Sequence, residues 1–253
     1  MKAAHRRSLL NSTALASVMT LAAVGAAQAQ QAVALPNGSL GVFAGTNDGN
    51  GFVAGEGRWA TPLGPMIGGQ IDGVVGSMGG ELMAHMGGHI FWRDPNTALY
   101  GVYGGWTQQF GKSMFRIGPE AEFYAGPFTL SGVGGVETGD DTTGGFIQGK
   151  LSYYATPDAK LYAGGGYDGH GFGLAGFEYL FQPGGLAGFG EVRFGDSTTA
   201  WAGLRYYFGL PGQTLMGNDR NGVAPLWQFM AKEPPTTVSA TTTPAPTTSS
   251  YVT

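Results

Sequence analysis

The stretch Arg116-Ile117-Gly118-Pro119-Glu120-Ala121-Glu122-Phe123 decides how this chain is read. Its charges stand at 116, 120 and 122, and Ile117, Pro119, Ala121 and Phe123 alternate with them. Successive side chains of a β-strand point to opposite faces. The stretch is therefore a strand with one polar and one apolar face. Glu191-Val192-Arg193-Phe194 has the same pattern. Two architectures accept such strands. In a soluble sandwich the charges face water. In a membrane barrel the apolar side faces lipid and the charges line the interior.

Clusters of Gly, Pro, Asn and Asp divide the body into twelve predicted strands, at 39–46, 52–62, 66–77, 81–92, 97–107, 113–124, 127–137, 145–155, 159–168, 171–181, 185–194 and 198–208. A length of 9–11 residues is what a tilted strand needs to cross a bilayer. The turns form two alternating series. One carries proline, as in Pro62-Leu63-Gly64-Pro65, Asp94-Pro95-Asn96 and Thr156-Pro157-Asp158. The other is short, polar and free of proline, as in Asn47-Asp48-Gly49-Asn50, Phe110-Gly111-Lys112 and Gly195-Asp196-Ser197. An up-and-down meander places alternate turns on opposite rims, and an even strand count puts both chain ends on one side.

The flanks point to export. Lys2, Arg6 and Arg7 precede an apolar stretch from Ala14 to Ala27, and Ala27-Gln28-Ala29 is an A-x-A cleavage motif. Residues 1–29 are thus expected to be a signal peptide, and 30–209 the barrel domain. Removing 1–29 leaves ten Lys and Arg against 17 Asp and Glu, a formal charge of −7. The basic footprint of a nucleic-acid binder is absent. There is no cysteine, so disulfides and thiol chemistry are excluded. Residues 210–233, with breakers Pro211, Gly212, Gly217, Gly222 and Pro225, are expected to form an irregular periplasmic segment. The cluster Leu226-Trp227-Gln228-Phe229-Met230 lies within it. The Thr- and Pro-rich stretch 234–253 is expected to be a disordered tail.

The charges of each predicted strand share one face: Glu56 and Arg58; Asp72; Arg116, Glu120 and Glu122; Glu137; Lys150; Lys160; Glu178; Glu191 and Arg193; Arg205. The opposite face carries Ile67, Ile71 and Val75, Phe115 and Ile117, Leu204, Tyr206 and Phe208, and their equivalents. A charge on a lipid-facing position at the midplane costs ~2–4 kcal/mol. Aromatic residues of that face, Trp59, Trp92, Phe123, Phe128, Tyr153, Tyr179 and Phe208 among them, collect at the proline-turn end, as an interfacial girdle does.

With these features the chain resembles a Gram-negative outer-membrane β-barrel of the small, porin-like kind, over residues ~39–208. Ala200-Trp201-Ala202-Gly203-Leu204-Arg205-Tyr206-Tyr207-Phe208 resembles the closing strand whose terminal aromatic the barrel-assembly machinery reads. The sequence departs from that pattern by continuing for 45 residues beyond Phe208. The resemblance implies an outer-membrane location, lipid as the surrounding partner and the assembly machinery as a partner in biogenesis. It sets no oligomeric state.

The candidate pore-lining residues are therefore Glu56, Arg58, Asp72, Arg116, Glu120, Glu122, Lys150, Lys160, Glu178, Glu191, Arg193 and Arg205. Folding the hairpins about their turns places Lys160 opposite Glu178, Arg58 opposite Gln70 and diagonal to Asp72, and Asp72 near His85. His85 and His89 share a strand face but lie about 13 Å apart along it, so no chelation of one ion is expected and no metal or cofactor is assigned. Ser131, Ser152, His85, Glu120 and Glu122 do not compose a catalytic set, and Gly164-Gly165-Gly166 precedes no helix. No enzyme activity is expected. The turns on the proline-free rim are too short for an inward-folded constriction loop or a large receptor surface. The leading expectation is a narrow passive channel for small polar solutes or ions. A structural envelope barrel with a plugged lumen and a soluble secreted β-sandwich binding module are the alternatives.

Overall fold

A computed structural model describes residues 31–140, 143–181 and 185–223. The signal peptide predicted at 1–29, the Leu226–Met230 cluster and the tail at 234–253 lie outside the described residues. The twelve strands are β1 (Asn37–Asn47), β2 (Asn50–Pro62), β3 (Ile67–Met78), β4 (Glu81–Asp94), β5 (Ala98–Gln109), β6 (Lys112–Ala125), β7 (Phe128–Gly139), β8 (Thr143–Thr156), β9 (Ala159–Tyr167), β10 (Gly171–Leu180), β11 (Leu186–Phe194) and β12 (Thr198–Phe208). Each lies within two residues of its predicted span. Every strand pairs antiparallel with its sequence neighbour, and β1 pairs with β12 from Gly38↔Phe208 to Asn47↔Thr199, closing the ring. Closure leaves no edge to expose unpaired amides to lipid.

Turn chemistry explains the meander. Asp48-Gly49, Gly79-Gly80 and Phe110-Gly111 all have positive φ at both central positions (45° and 86°, 60° and 88°, 52° and 71°). Such two-residue connections match the right-handed twist of the flanking strands. Phe110 adopts this unfavourable conformation while its ring packs against the apolar cluster at that end of the lumen.

The two strand faces separate as the alternation requires. The outer face exposes Ile71, Ile90, Met86 and Val42 at 62–65% of their maximal area, with Phe115, Leu130, Ile147 and Phe177 beside them. A continuous apolar coat of this kind is the surface of a transmembrane barrel. At the proline-turn rim its aromatics pair: Trp92 and Tyr100 stack at 5.8 Å, Tyr100 meets Phe123 edge-on at 5.6 Å, and Phe128 lies 5.1 Å from Tyr153.

The inner face is packed in layers. Near the tight-turn rim Phe43, Phe52, Val74, Met78, Met83, Phe189 and Trp201 form one apolar cluster. At the proline-turn rim Phe91, Leu99, Tyr124, Tyr154, Leu180 and Tyr207 form another, joined by Val33, Leu215 and Val223. The charged residues occupy the space between.

Two expectations are corrected. Arg58 pairs directly with Asp72, and Gln70 with Ala60. The β2–β3 connection spans Leu63–Met66 and is closed by Pro62↔Gly68, one residue later than the proline pair suggests, which shifts each partner by two. The segment at 210–233, expected to be irregular, contains a helix, α1 (Leu215–Asn221). Thr214 caps it by accepting a hydrogen bond from Gly217 N at 3.1 Å. Gly217 and three asparagines or aspartates give α1 poor intrinsic propensity. Docking holds it: Leu215 is fully buried at the proline-turn mouth, Met216 N donates to Pro157 O at 2.9 Å and Ala34 N donates to Asn221 O at 3.1 Å.

Candidate functional site: the barrel lumen

All twelve residues selected from the sequence stand on the inner face, and most are buried. The structure brings them together as linked ion pairs. Arg205 on β12 donates from Nε to Glu56 on β2 and from Nη1 to Glu178 on β10, each at 2.5 Å. Tyr207 adds its hydroxyl to Glu178 at 2.7 Å. Lys160, opposite Glu178 in the β9–β10 ladder as predicted, reaches its Oε2 at 2.8 Å. Arg58 donates to Ser39 Oγ at 2.9 Å. Tyr162 donates to Glu191 at 2.9 Å, and Lys150 lies over the Tyr162 ring at 4.9 Å. Buried charges are tolerable only when paired and hydrogen-bonded in this way.

A second group joins the neighbouring strands. Arg116 on β6 bonds Glu137 on β7 at 2.8 Å and Asp168, at the end of β9, at 3.0 Å. Its guanidinium lies 5.1 Å from the Phe146 ring centroid. Arg193 lies over Phe172 at 4.2 Å.

His85 and His89 gather on one carboxylate. Asp72 pairs with Gly87, midway between them, on the adjacent strand. Both rings lean toward it: His85 Nε2 is 3.3 Å from Oδ1 and His89 Nε2 is 2.8 Å from Oδ2. Strand rise separates their backbones, yet one cross-strand carboxylate serves both. His85 Nδ1 meets Thr107 Oγ1 at 3.0 Å, and His89 Nδ1 meets Glu120 Oε1 at 2.9 Å. Thr107, His85, Asp72, His89 and Glu120 thus form one hydrogen-bonded chain across β3 to β6. Every ring nitrogen in it is engaged, so neither imidazole is directed at Ser131 or Ser152. Among the described residues no cluster of three or more His, Asp or Glu side chains is arranged to hold a metal ion.

Arg93, Asp168, Asp219 and Arg220 are among the participants that were not selected from the sequence. Arg93 has the same strand parity as His85 and His89 and could have been found by it. Arg93 is fully buried, lies over Phe91 at 4.7 Å and donates to Gly222 O at 2.6 Å. Asp168 sits at a strand end, where parity says little. Asp219 and Arg220 come from α1, for which no periodicity exists. Asp219 Oδ2 accepts from Tyr154 OH at 2.6 Å and Lys160 Nζ at 2.8 Å. Arg220 Nη2 donates to Gly126 O at 2.9 Å and Phe128 O at 3.0 Å. The helix therefore closes the proline-turn mouth with an apolar contact and two charged contacts.

Beneath α1 remains a cavity of about 80 Å³, lined by residues that include Arg58, Lys150, Ser152, Glu191, Arg205 and Asp219. A polar space of this size holds a few waters. The apolar cluster of Phe43, Phe52, Met83, Phe189 and Trp201 lies toward one rim and α1 covers the other.

No protein-family profile and no curated protein matches the chain. Solved structures do. The KdgM porin, alone and in complex with disordered oligogalacturonate, superposes with a TM-score of 0.56 at 10% identity, over 68% of this chain and 99% of the porin. Outer membrane phospholipase A from Escherichia coli, as an active-site mutant, gives a TM-score of 0.49 at 14% identity, over 68% of this chain and 91% of the other. At such identity the KdgM likeness shows a shared fold: the chain is built as outer-membrane β-barrels are.

Proposed function

We propose that the protein is carried by its signal peptide to the outer membrane, inserted there by the barrel-assembly machinery, and serves as a narrow, non-enzymatic channel for small polar solutes or ions. The described state is then the closed one. The observation that carries this reading is the lumen itself. Cationic and anionic side chains run along its length inside an apolar coat, while the proline-turn mouth is covered by a seven-residue helix joined to β12 through residues 209–214. Mixed charge at a constriction is how small channels select solutes. The porin fold of KdgM supports the reading.

Planar-bilayer recording tests it. Residues 30–253, refolded in detergent and verified by a heat-modifiable gel shift, are compared with a chain ending at Gly209. Discrete conductance steps that grow in frequency or amplitude when α1 is removed support a channel stoppered by the helix.

One observation favours a second reading, a structural barrel with a permanently plugged lumen. The apolar cluster around Phe43, Phe189 and Trp201 packs inside the barrel toward the tight-turn rim, apart from α1. A shifted but electrically silent barrel lacking α1 would select that reading.

A further inference from the structure

Lys160 and Tyr154 converge on one oxygen of Asp219, at 2.8 and 2.6 Å, from neighbouring strands. The carboxylate is not part of the barrel wall. It is delivered by α1 to two donors that the wall holds in place, and Lys160 is itself anchored by Glu178 at 2.8 Å. An ammonium and a phenol directed at one point constitute an anion site, and that site is filled from the same chain.

This pair is also more accessible than the innermost pairs of the network. The side chains of Asp219 and Lys160 keep 19% and 11% of their exposure, against 0–2% for His89–Asp72, His89–Glu120 and Arg116–Glu137. Behind it lies the cavity of about 80 Å³, whose lining includes the hydroxyls of Thr129, Ser131 and Ser152 together with Lys150 and Arg58. A ligand that displaced Asp219 would meet a mixed lining, in which these donors stand beside Glu56, Glu122 and Glu191 and beside Phe189 and Trp201 of the apolar cluster.

We propose that Lys160 and Tyr154 form a binding site for a small free carboxylate, that Asp219 occupies it as a tethered substitute, and that such a solute entering at the proline-turn mouth competes with α1 for it. The inference rests on the reading of α1 as a displaceable stopper and names the ligand class of that lumen. A site open only part of the time binds with an apparent Kd raised by the inverse of the open fraction. A tethered group acts at millimolar effective concentration or above. Free carboxylate therefore binds the intact protein weakly, and removing the Asp219 side chain should tighten it.

The test is binding of ¹³C-labelled acetate, followed by NMR line broadening, to the refolded full-length protein and to its Asp219→Ala and Asp219→Asn variants. Sodium chloride and inorganic phosphate at matched ionic strength serve as competitors. Asp219→Ala is expected to lower the apparent Kd for acetate about tenfold, Asp219→Asn by less, and Lys160→Met combined with Asp219→Ala to abolish the gain. Should Asp219→Ala fail to give the gel shift, the milder Asp219→Asn carries the comparison. Acetate binding that is equal in wild type and variants, survives loss of Lys160, or is displaced equally by chloride overturns the proposal, as does a site that takes phosphate in preference to acetate. Binding is read without current, so a protein that conducts but ignores acetate separates failure of this inference from failure of the channel reading.

Discussion

Replacing Arg205 by Met should expose how the lumen is held together. Arg205 joins two carboxylates across three strands, at 2.5 Å to Glu56 and 2.5 Å to Glu178. Methionine keeps much of the volume and removes the charge. Removing one partner of a buried pair generally costs about 3–5 kcal/mol, because the other charge is left buried without compensation. The two carboxylates are not equally affected. Glu178 keeps Lys160 at 2.8 Å and the Tyr207 hydroxyl at 2.7 Å, whereas Glu56 is held by Arg205. Most of the loss should therefore arise at Glu56. Adding Glu56→Gln to Arg205→Met is expected to recover about half of it, and adding Glu178→Gln to recover little, since that change takes an anchor from Lys160. Guanidinium unfolding of the refolded barrel, followed by tryptophan fluorescence and the gel shift, measures each value. A loss below about 1 kcal/mol for Arg205→Met, or equal rescue by the two glutamines, would refute the assignment of the stress to Glu56.

The histidine chain should be graded by its distances. His89→Leu breaks contacts of 2.8 and 2.9 Å to two carboxylates and is expected to cost roughly 1–3 kcal/mol, more than His85→Leu, whose bond to Asp72 is 3.3 Å; the same unfolding assay ranks them. On the outer face, Ile71→Lys near mid-strand should cost about 2–4 kcal/mol and Ser77→Lys near the rim about 1 or less. Equal penalties at both positions would contradict a bilayer around the barrel. Because the chain has no cysteine, Asn50→Cys and Asn96→Cys report orientation. A membrane-impermeant maleimide should label the first in intact cells and the second only after the outer membrane is permeabilised.

The strands were legible because a period of two is imposed by the backbone and every inward charge obeys it, from Glu56 on β2 to Arg205 on β12. The pairing of those charges was legible only where it is local. Lys160 and Glu178 face one another in a hairpin with a short turn, so counting from the turn finds them. Arg58 and Asp72 were displaced because Pro62-Leu63-Gly64-Pro65 leaves the centre of its turn ambiguous by one residue. Arg116 with Asp168 and Arg205 with Glu56 are separated by 52 and 149 residues and meet through the curvature and closure of the ring, which no local pattern encodes. Helix α1 was invisible for another reason. Seven residues containing Gly217 do not specify a helix, and this one exists because Leu215, Asp219 and Arg220 find the mouth of a finished barrel.

That last dependence gives α1 a role in time as well as in space. Its landing surface is drawn from separate parts of the chain: Pro157 and Asp158 between β8 and β9, Gly126 between β6 and β7 with Phe128 at the start of β7, Arg93 on β4 and Ala34 before β1. Long-range pairings such as β1 with β12 form late in folding, since the loop they close is the largest available. Until they form, these contacts are scattered and the helix has nowhere to land. Docking is therefore a checkpoint that only a complete ring passes. Resistance of the Arg220–Asn221 bond to trypsin should appear after the barrel becomes heat-modifiable, and its onset would time the end of assembly from within the molecule.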